Sequence, residues 1–484
     1  MANREGRIMT DEAQDLSASE ILKATGGALL RGSHGWSCIG ISTDTRTLAA
    51  GDLFIALAGE NFDGHDCLAK AAERGAAGLL IRADVAEKLA MAPEGPPVIA
   101  VPDTLKALGD IARDWRQRFP IPVVAITGSS GKTTTKEMAA TIASRTRNIL
   151  KTEGNLNNRI GLPLTLLRLR KNHELAIVEM GTNSPGEIAM LAAIAGPDVG
   201  LITNIGPAHI EGLGSLEAIR EEKGSLFEVM AGRGTAILNH DDPAIGVLAG
   251  RLQGKRVTFG LGPGAAITAQ RVETVGPEGV RFDLVIDGIG APVFLATAGE
   301  HNVRNALAAA AAAWALGFDR SEIAAGLAAF RPVPGRTEIR QLGNGACLVI
   351  DTYNANPASV REALQTLQGL RENGKAFVIL GDMLELGERS EEWHQEIGAL
   401  LADRDIQDLF LKGSLTKALA AGAIRMGFPA ERIAFFDDPE QVVSSLRSRL
   451  KKGDWVLIKG SRKMKMEAVA ENMIAAFDLK PQTM

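Results

Sequence analysis

A chain of 484 residues is too long for one ordinary hydrophobic core and implies about three domains. Its 45% hydrophobic and 23% charged residues are the composition of a folded protein, and a formal charge of -5 with bases interspersed among acids excludes a nucleic-acid stripe or a polybasic membrane anchor. Small molecules are the expected partners, and three widely spaced cysteines (Cys38, Cys67, Cys347) without metal-ligand spacing point to a reducing, cytoplasmic setting.

The N-terminus, MANREGRIMTDEAQDL, is polar and lacks the apolar core of a secretory signal. The following hundred residues predict a small α/β unit. SASEILKATGGAL reads as an amphipathic helix, CIGISTDTR and GDLFIALAG as strands, CLAKAAERGA as a helix, and GLLI and PVIAVPD as strands. PDTLKALGDIARDWRQRFPIP is one amphipathic helix stopped by Pro120 and Pro122. This places a first domain at residues 1–105.

A second domain, residues 106–330, alternates apolar strands (VVAIT, NILKT, LAIVEM, VGLITNI) with helices, the pattern of a parallel sheet buried on both faces. Gly-rich, β-branched residues 256–298 break the rhythm and predict a small antiparallel insertion. The run NALAAAAAAWALGF is shorter than the roughly 20 residues that span a bilayer, so it predicts a buried helix and no membrane span. From residue 331 to 484 a third, Rossmann-like α/β domain follows: CLVIDTY, KAFVILGDM, DLFLKG, RIAFFDD and DWVLIKG are strands separated by helices. Each strand ends in polar or glycine residues, where open α/β sheets bind ligands.

The chemistry starts at VVAITGSSGKTTTKEM. Gly131-Lys132-Thr133 ends as a phosphate-binding loop ends, although Ile126 stands where the usual spacing has its first glycine and the nearest upstream glycine is Gly128. Between a buried strand and a helix, Gly128, Ser129, Ser130, Gly131, Lys132, Thr133 and Thr134 aim backbone N–H groups and a helix dipole at an anion. Lys132 would reach the β and γ phosphates and the Thr133 hydroxyl a Mg²⁺ ion. A plain glycine turn capping a helix is the competing reading. Glu179, ending the strand LAIVE, is placed to hold Mg²⁺ directly or through water, or else is a capping or salt-bridged glutamate. His209, in NIGPAHIEGLGS, is either a ligand or a satisfied polar residue. Lys223, in SLEAIREEKGSLFEV, reads on composition as one charge on a solvated helix face. DTYNANP, Asp351 to Pro357, is a turn by composition. It leaves a parallel strand with an acid, the only tyrosine (Tyr353) and two amides (Asn354, Asn356), which suits a ligand-orienting loop.

With these residues in view, the chain resembles the ATP-dependent Mur ligases of bacterial peptidoglycan synthesis from about residue 17 to about residue 470, and the shortened TGSSGKTT loop is that family's own form. STDTRTLAAGDLFIALAGENFDGHD is similar to the family's uridine-nucleotide half-site, which implies UDP contacts for Thr43, Asp44, Thr45 and Arg46. EGNLNNRIGLPLTLLRL, VEMGTNSPGEI, DTYNANP and GDMLELG resemble the D-alanyl-D-alanine-adding branch, and the Asn-Pro-Arg motif of the branch that adds a diamino acid is not found. The resemblance further implies that Glu179 and His209 are Mg²⁺ ligands and that Lys223 is carbamylated by CO₂. It also implies an adenine contact for Asn302 in GEHNVRNA, and nucleotide contacts for Arg336 in VPGR and for Asp351. Residues before Met9 have no counterpart in it.

The implied reaction is amide formation: ATP phosphorylates a peptide carboxylate, an amine displaces phosphate from the acyl phosphate, and ADP and phosphate leave. No protein nucleophile is needed, because phosphoryl transfer rests on positioning and electrostatics. The implied substrates are UDP-N-acetylmuramoyl-tripeptide and D-alanyl-D-alanine, and the implied state is a monomer. The sibling ligase adding the third, diamino residue, a P-loop ATPase with a macromolecular partner, and a non-enzymatic nucleotide sensor are the competing functions.

Overall fold

A computed structural model of the chain describes residues 15–60, 62–86 and 95–478. The residues before Met9 lie outside the described residues. By internal contacts the chain divides into two units, one holding the residues up to Val123 with Leu150–Met180 and Met190–Gly196, the other Val124–Ile149, Gly181–Ala189 and the rest from Pro197 onward.

The first unit contains a five-stranded sheet in the order Ala28–Arg31, Val98–Val101, Gly78–Arg82, Asp52–Ile55, Gly40–Ser42, parallel except for the first strand. The predicted helix over SASEILKATGGAL is shorter than its sequence run. Helix Ala18–Thr25 is closed at its start by a Ser17–Glu20 capping box and ends at Gly26 in the left-handed conformation, so Ala28 and Leu29 join the sheet instead. Helix Thr104–Gln117 starts on the Asp103 side chain, and Trp115, Ile111 and Leu108 form its buried face.

In the second unit, strands Val123–Thr127, Val199–Ile202, Thr235–Asn239 and Lys255–Phe259 run parallel in that order, and Ile267–Val275, Gly279–Ile286 and Ile289–Leu295 continue them as an antiparallel meander. The insertion expected at 256–298 is therefore an extension of the parallel sheet, and its first strand belongs to the parallel set. Helix Glu300–Ala315 buries Ala308 to Ala313, as the alanine run predicts. Gly326 of helix Arg320–Ala329 explains why small residues are used here, since a Cβ on it would stand 2.5 Å from the Ile142 Cα of helix Lys132–Ala143.

A six-stranded sheet completes this unit in the order Glu338–Gln341, Cys347–Asp351, Trp455–Lys459, Ala376–Gly381, Ile406–Lys412, Ile433–Phe435. All but the first strand are parallel. Phe377, Ile379 and Phe410 pack into one core, and Val378, Leu380, Leu409 and Leu411 into another. Both faces are thus covered, which is what their near-continuous apolar strands require. The edge strand Glu338–Gln341 is mostly polar and half exposed, with a single apolar residue, Ile339, packed against the core. Among the described residues, no helix is long and apolar enough to cross a membrane.

Candidate active site

The loop Gly128–Gly131 leaves the carboxyl end of strand Val123–Thr127, and Gly131 is the N-cap of helix Lys132–Ala143, the strand–loop–helix order that the sequence predicts. Two glycines are obligatory. Gly128 has φ +146 and a Cβ there would fall 1.9 Å from Thr203 Oγ1, while Gly131 has φ +77 and a Cβ there would fall 2.2 Å from Asn305 Oδ1.

The neighbouring strand end pins the loop. Ser129 N–H donates to the Asn204 carbonyl (3.0 Å), Ser130 N–H to Asn204 Oδ1 (2.9 Å), and Thr203 Oγ1 to the Ser130 carbonyl (2.6 Å). Ser129 Oγ exchanges hydrogen bonds of 2.9 Å with the Gly206 main chain in both directions. Lys132 folds its ammonium onto the Gly128 carbonyl at 2.7 Å, inside the loop it closes. Thr133 and Thr134 are buried in the first helical turn.

Asn302 is 3% exposed, and its side-chain amide donates to the Ala298 carbonyl (2.7 Å) and Thr297 Oγ1 (3.2 Å) while its Oδ1 accepts from Asn305 Nδ2 (3.1 Å). Asn305, which sequence reasoning passed over, is the residue against the loop, with Oδ1 also 3.4 Å from Thr135 Oγ1. Its signal was the three-residue spacing from Asn302 on one helix face.

Lys223 overturns the solvated-face reading, for its side chain is 1% exposed within helix Leu216–Met230. Burial, reinforced by the positive charge of Lys132, pushes its ammonium down to about 7, against a smaller opposite pull from Glu222. Glu222 is itself buried and accepts from Gly186 N–H (2.6 Å), Ile188 N–H (2.8 Å) and Thr182 Oγ1 (3.1 Å). It therefore fixes the segment TNSPGEI, a second role the sequence did not disclose.

His209 sits at φ 58 as N-cap of the short helix Ile210–Leu213, and its Nδ1 lies 2.7 Å from Glu385 Oε2. Glu179, in the first unit, is 2% exposed, takes a 2.8 Å hydrogen bond from Asn157 Nδ2 on Oε1, and donates its main-chain N–H to Thr152 Oγ1. Among the described residues no three His, Cys, Asp or Glu side chains converge as a ready-made metal cage.

The six-stranded sheet contributes DTYNANP. Asp351 pairs with Lys459, directly across the strand pair, at 2.5 Å, and Lys459 also donates to the Asn354 carbonyl at 2.9 Å. The Arg336 guanidinium lies 3.9 Å from the centre of the Tyr353 ring, and that of Arg462 lies 5.8 Å from it. Asn356 caps helix Pro357–Leu370 by accepting from Ser359 N–H at 2.9 Å, so its amide oxygen serves the fold, whereas Asn354 is exposed and its side chain accepts only locally, from Ala355 N–H.

In the first unit Thr43, Asp44, Thr45 and Arg46 form a turn. Asp44 accepts from Arg46 N–H (2.8 Å) and guanidinium (2.6 Å), and Arg46 holds its carboxyl below the ordinary carboxylate range. Thr45 is buried, while the Arg46 side chain is 83% exposed.

Three family profiles match successive stretches: "Mur ligase family, catalytic domain" over residues 38–116, "Mur ligase middle domain" over 126–313, and "Mur ligase, glutamate ligase domain" over 335–462. The chain is 41% identical over 438 residues to a UDP-N-acetylmuramoyl-tripeptide–D-alanyl-D-alanine ligase of Synechocystis sp., covering 90% of this chain and 92% of the relative. Its fold is similar to a crystal structure of MurF from Acinetobacter baumannii (TM-score 0.86, 33% identity, 96% and 99% of the two chains). It is also similar to MurF from Thermotoga maritima in complex with ADP (TM-score 0.80, 30% identity, 90% and 97%). With its phosphate loop, its parallel sheets and these matches along most of its length, the chain belongs to the Mur ligase family.

Proposed function

We propose that this chain joins D-alanyl-D-alanine to the terminal carboxylate of UDP-N-acetylmuramoyl-tripeptide at the expense of ATP, in peptidoglycan precursor synthesis. The observation that carries the reading is the match to ligases of that name over nine-tenths of the chain, at 34–41% identity in several bacteria. The ADP complex of the Thermotoga maritima relative supports nucleotide binding, which we place at the loop Gly128–Thr134 on the ground of its motif.

A carboxylate is anionic and a poor electrophile. Transfer of the γ-phosphoryl group gives an acyl phosphate. The dipeptide amine then attacks the acyl carbon, loses a proton, and the tetrahedral intermediate expels inorganic phosphate. In this reading the loop N–H groups and the Lys132 ammonium hold the phosphates while two anions approach each other. Asn302, Arg336 and Asp351 contact the nucleotide, and Tyr353 and Asn354 face the substrate. Thr43, Asp44, Thr45 and Arg46 hold the UDP moiety, with the exposed Arg46 guanidinium available to a diphosphate.

We assign residues 1–105 to UDP-substrate binding, 106–330 to ATP binding, and 331–484 to completion of the ATP and dipeptide sites. Mg²⁺ would be held by Thr133, Glu179, His209 and a carbamate on Lys223, and when bound it neutralises phosphate charge. The oxygen donors Thr133 and Glu179 suit a hard cation. A bare Lys223 amine does not, but a buried lysine whose proton is held weakly offers the neutral amine that reacts with CO₂. The reading also places the enzyme in the cytoplasm as a monomer.

The test is ADP release with each substrate omitted in turn. Turnover that needs both UDP-muramoyl-tripeptide and D-alanyl-D-alanine is expected. Turnover on the UDP-dipeptide with a diamino acid would instead assign the sibling reaction, and ADP release without either acceptor would assign a free-standing ATPase.

A further inference from the structure

Glu385 is not among the residues that the loop, the metal or the nucleotide calls for, yet it makes a specific polar contact with His209. It sits in GDMLELG, the loop that leaves strand Ala376–Gly381, and reaches across 176 positions of sequence to His209 Nδ1 at 2.7 Å. The contact is doubled on the main chain, where Glu211 N–H donates to the Glu385 carbonyl at 3.2 Å. Both partners hold positive φ, 58 at His209 and 64 at Glu385, a region that residues with a Cβ rarely enter. Non-glycine residues persist there when the surroundings over-determine them, and such positions cluster at functional sites.

The surroundings do over-determine Glu385. Met383 N–H donates to Nε2 of the fully buried His394 (3.0 Å), whose Nδ1 faces the Ser390 carbonyl (2.7 Å). Leu384 N–H donates to Ser461 Oγ (2.8 Å), and the buried Asp382 carboxylate accepts from Ser414 (3.1 Å) and Thr416 (2.9 Å) N–H groups. Gly387 turns the chain at φ +65, the left-handed region that favours glycine. A rigid loop thus presents an acceptor to one nitrogen of one histidine.

We infer that Glu385 is a positioning residue for the ligase reaction: by accepting the Nδ1 proton of His209 it fixes the tautomer and ring plane so that Nε2, on the other side of the ring, is the working atom. The inference rests on the proposed function only for the role of His209. An imidazole offers a lone pair at whichever nitrogen lacks the proton, and a carboxylate at the other nitrogen decides which that is. Because donor and acceptor come from different sheets of the unit, the arrangement exists only while the GDMLELG loop is docked on residues 209–211.

The test uses the full chain without substrates, labelled with ¹⁵N-histidine, the His209 signal being identified by its loss in His209→Gln. The parent should show His209 protonated at Nδ1. Glu385→Ala should shift it to a tautomer mixture, and Glu385→Gln, which keeps an acceptor oxygen, should retain the parent form. In turnover, Glu385→Ala should lower kcat by about 10–100-fold, the usual loss for a carboxylate behind a ligand histidine. KM for the UDP substrate should stay unchanged, and Glu385→Gln should recover part of the loss. Glu388→Gln, one turn away, is the control and should match the parent. A His209 signal indifferent to Glu385→Ala overturns the inference even if activity falls. Unchanged kcat in Glu385→Ala overturns it as well. Neither outcome touches the ADP-release test of the reaction itself.

Discussion

Lys459→Met is the sharpest perturbation of the third domain. The Lys459 side chain is 2% exposed and that of Asp351 16%, so their ion pair is shielded from water. Removing the ammonium leaves the Asp351 carboxylate with one long hydrogen bond, from Thr337 N–H at 3.3 Å, and leaves the Asn354 carbonyl without its lysine donor. Breaking a buried pair from one side costs about 3–5 kcal/mol, because a charge remains uncompensated. The methionine, close in volume, returns little of that. The double variant Lys459→Met/Asp351→Leu removes both charges and should recover most of the stability. Hydrogen exchange of the strand Trp455–Lys459 is the proper assay, since a chain of several domains does not unfold as one unit. Turnover then separates the two roles of Asp351. If it also contacts nucleotide, the double variant regains stability while staying inactive. A single variant destabilised by less than about 1 kcal/mol would refute the claim that this pair holds DTYNANP.

Gly131→Ala should cost about 2–3 kcal/mol, combining a left-handed alanine with displacement of Asn305 from Asn302, and should weaken ADP binding measured by calorimetry. Unchanged ADP affinity would show that the loop tolerates what its geometry forbids. Lys132→Ala should abolish ligation while the UDP substrate still binds, and retained turnover would remove the ATP assignment. Lys223→Met, in CO₂-free buffer, should stabilise the protein most below about pH 7. There both folded and unfolded lysine are protonated and the whole burial penalty is felt. Between about 7 and the ordinary 10.5 only the unfolded chain keeps the proton, so the parent gains stability as pH rises and the advantage of the variant fades. At about 1.4 kcal/mol per tenfold change in proton affinity, the full effect is on the order of 4–5 kcal/mol. Hydrogen-exchange protection of helix Leu216–Met230 in both proteins at pH 6 and pH 9 reads it, and a pH-independent difference would show that Lys223 is paired in solution.

Local sequence was sufficient wherever a function depends on residues that are neighbours in the chain. VVAIT followed by GSSGK states both the strand and the loop, and the order of apolar runs states the parallel sheets. The limits appear where a side chain's role is set from a distance. Asn356 looks like a ligand donor in DTYNANP, but Pro357 starts a helix and Ser359 completes the capping box, a local cue that was present in NPAS and outweighed by the loop's composition. Glu385 and His209 share no local pattern at all, and only the sheet topology brings them together. Strand Glu338–Gln341 is mostly polar because it is an edge, and its one apolar residue, Ile339, is too little for hydrophobic periodicity to register.

The buried lysines show the same limit in its most consequential form. Lys136, Lys223 and Lys459 are each 2% exposed or less, and in the sequence each is one cation among many. Their compensation differs. Lys459 has Asp351, and Lys136 has Glu137 at 2.8 Å. For Lys223 the neighbouring Glu222 spends its oxygens on Gly186, Ile188 and Thr182, and no ion pair of 4 Å or less forms at its ammonium among the described residues. Burying an ammonium without a partner is so costly that such a group sheds its proton or acquires a counter-charge. A second cation, Lys132, close enough to push in the same direction, raises that cost. The arrangement is intelligible if the neutral amine is what the site uses; under the proposed function, CO₂ addition would turn that amine into an anion that the neighbouring Lys132 would stabilise.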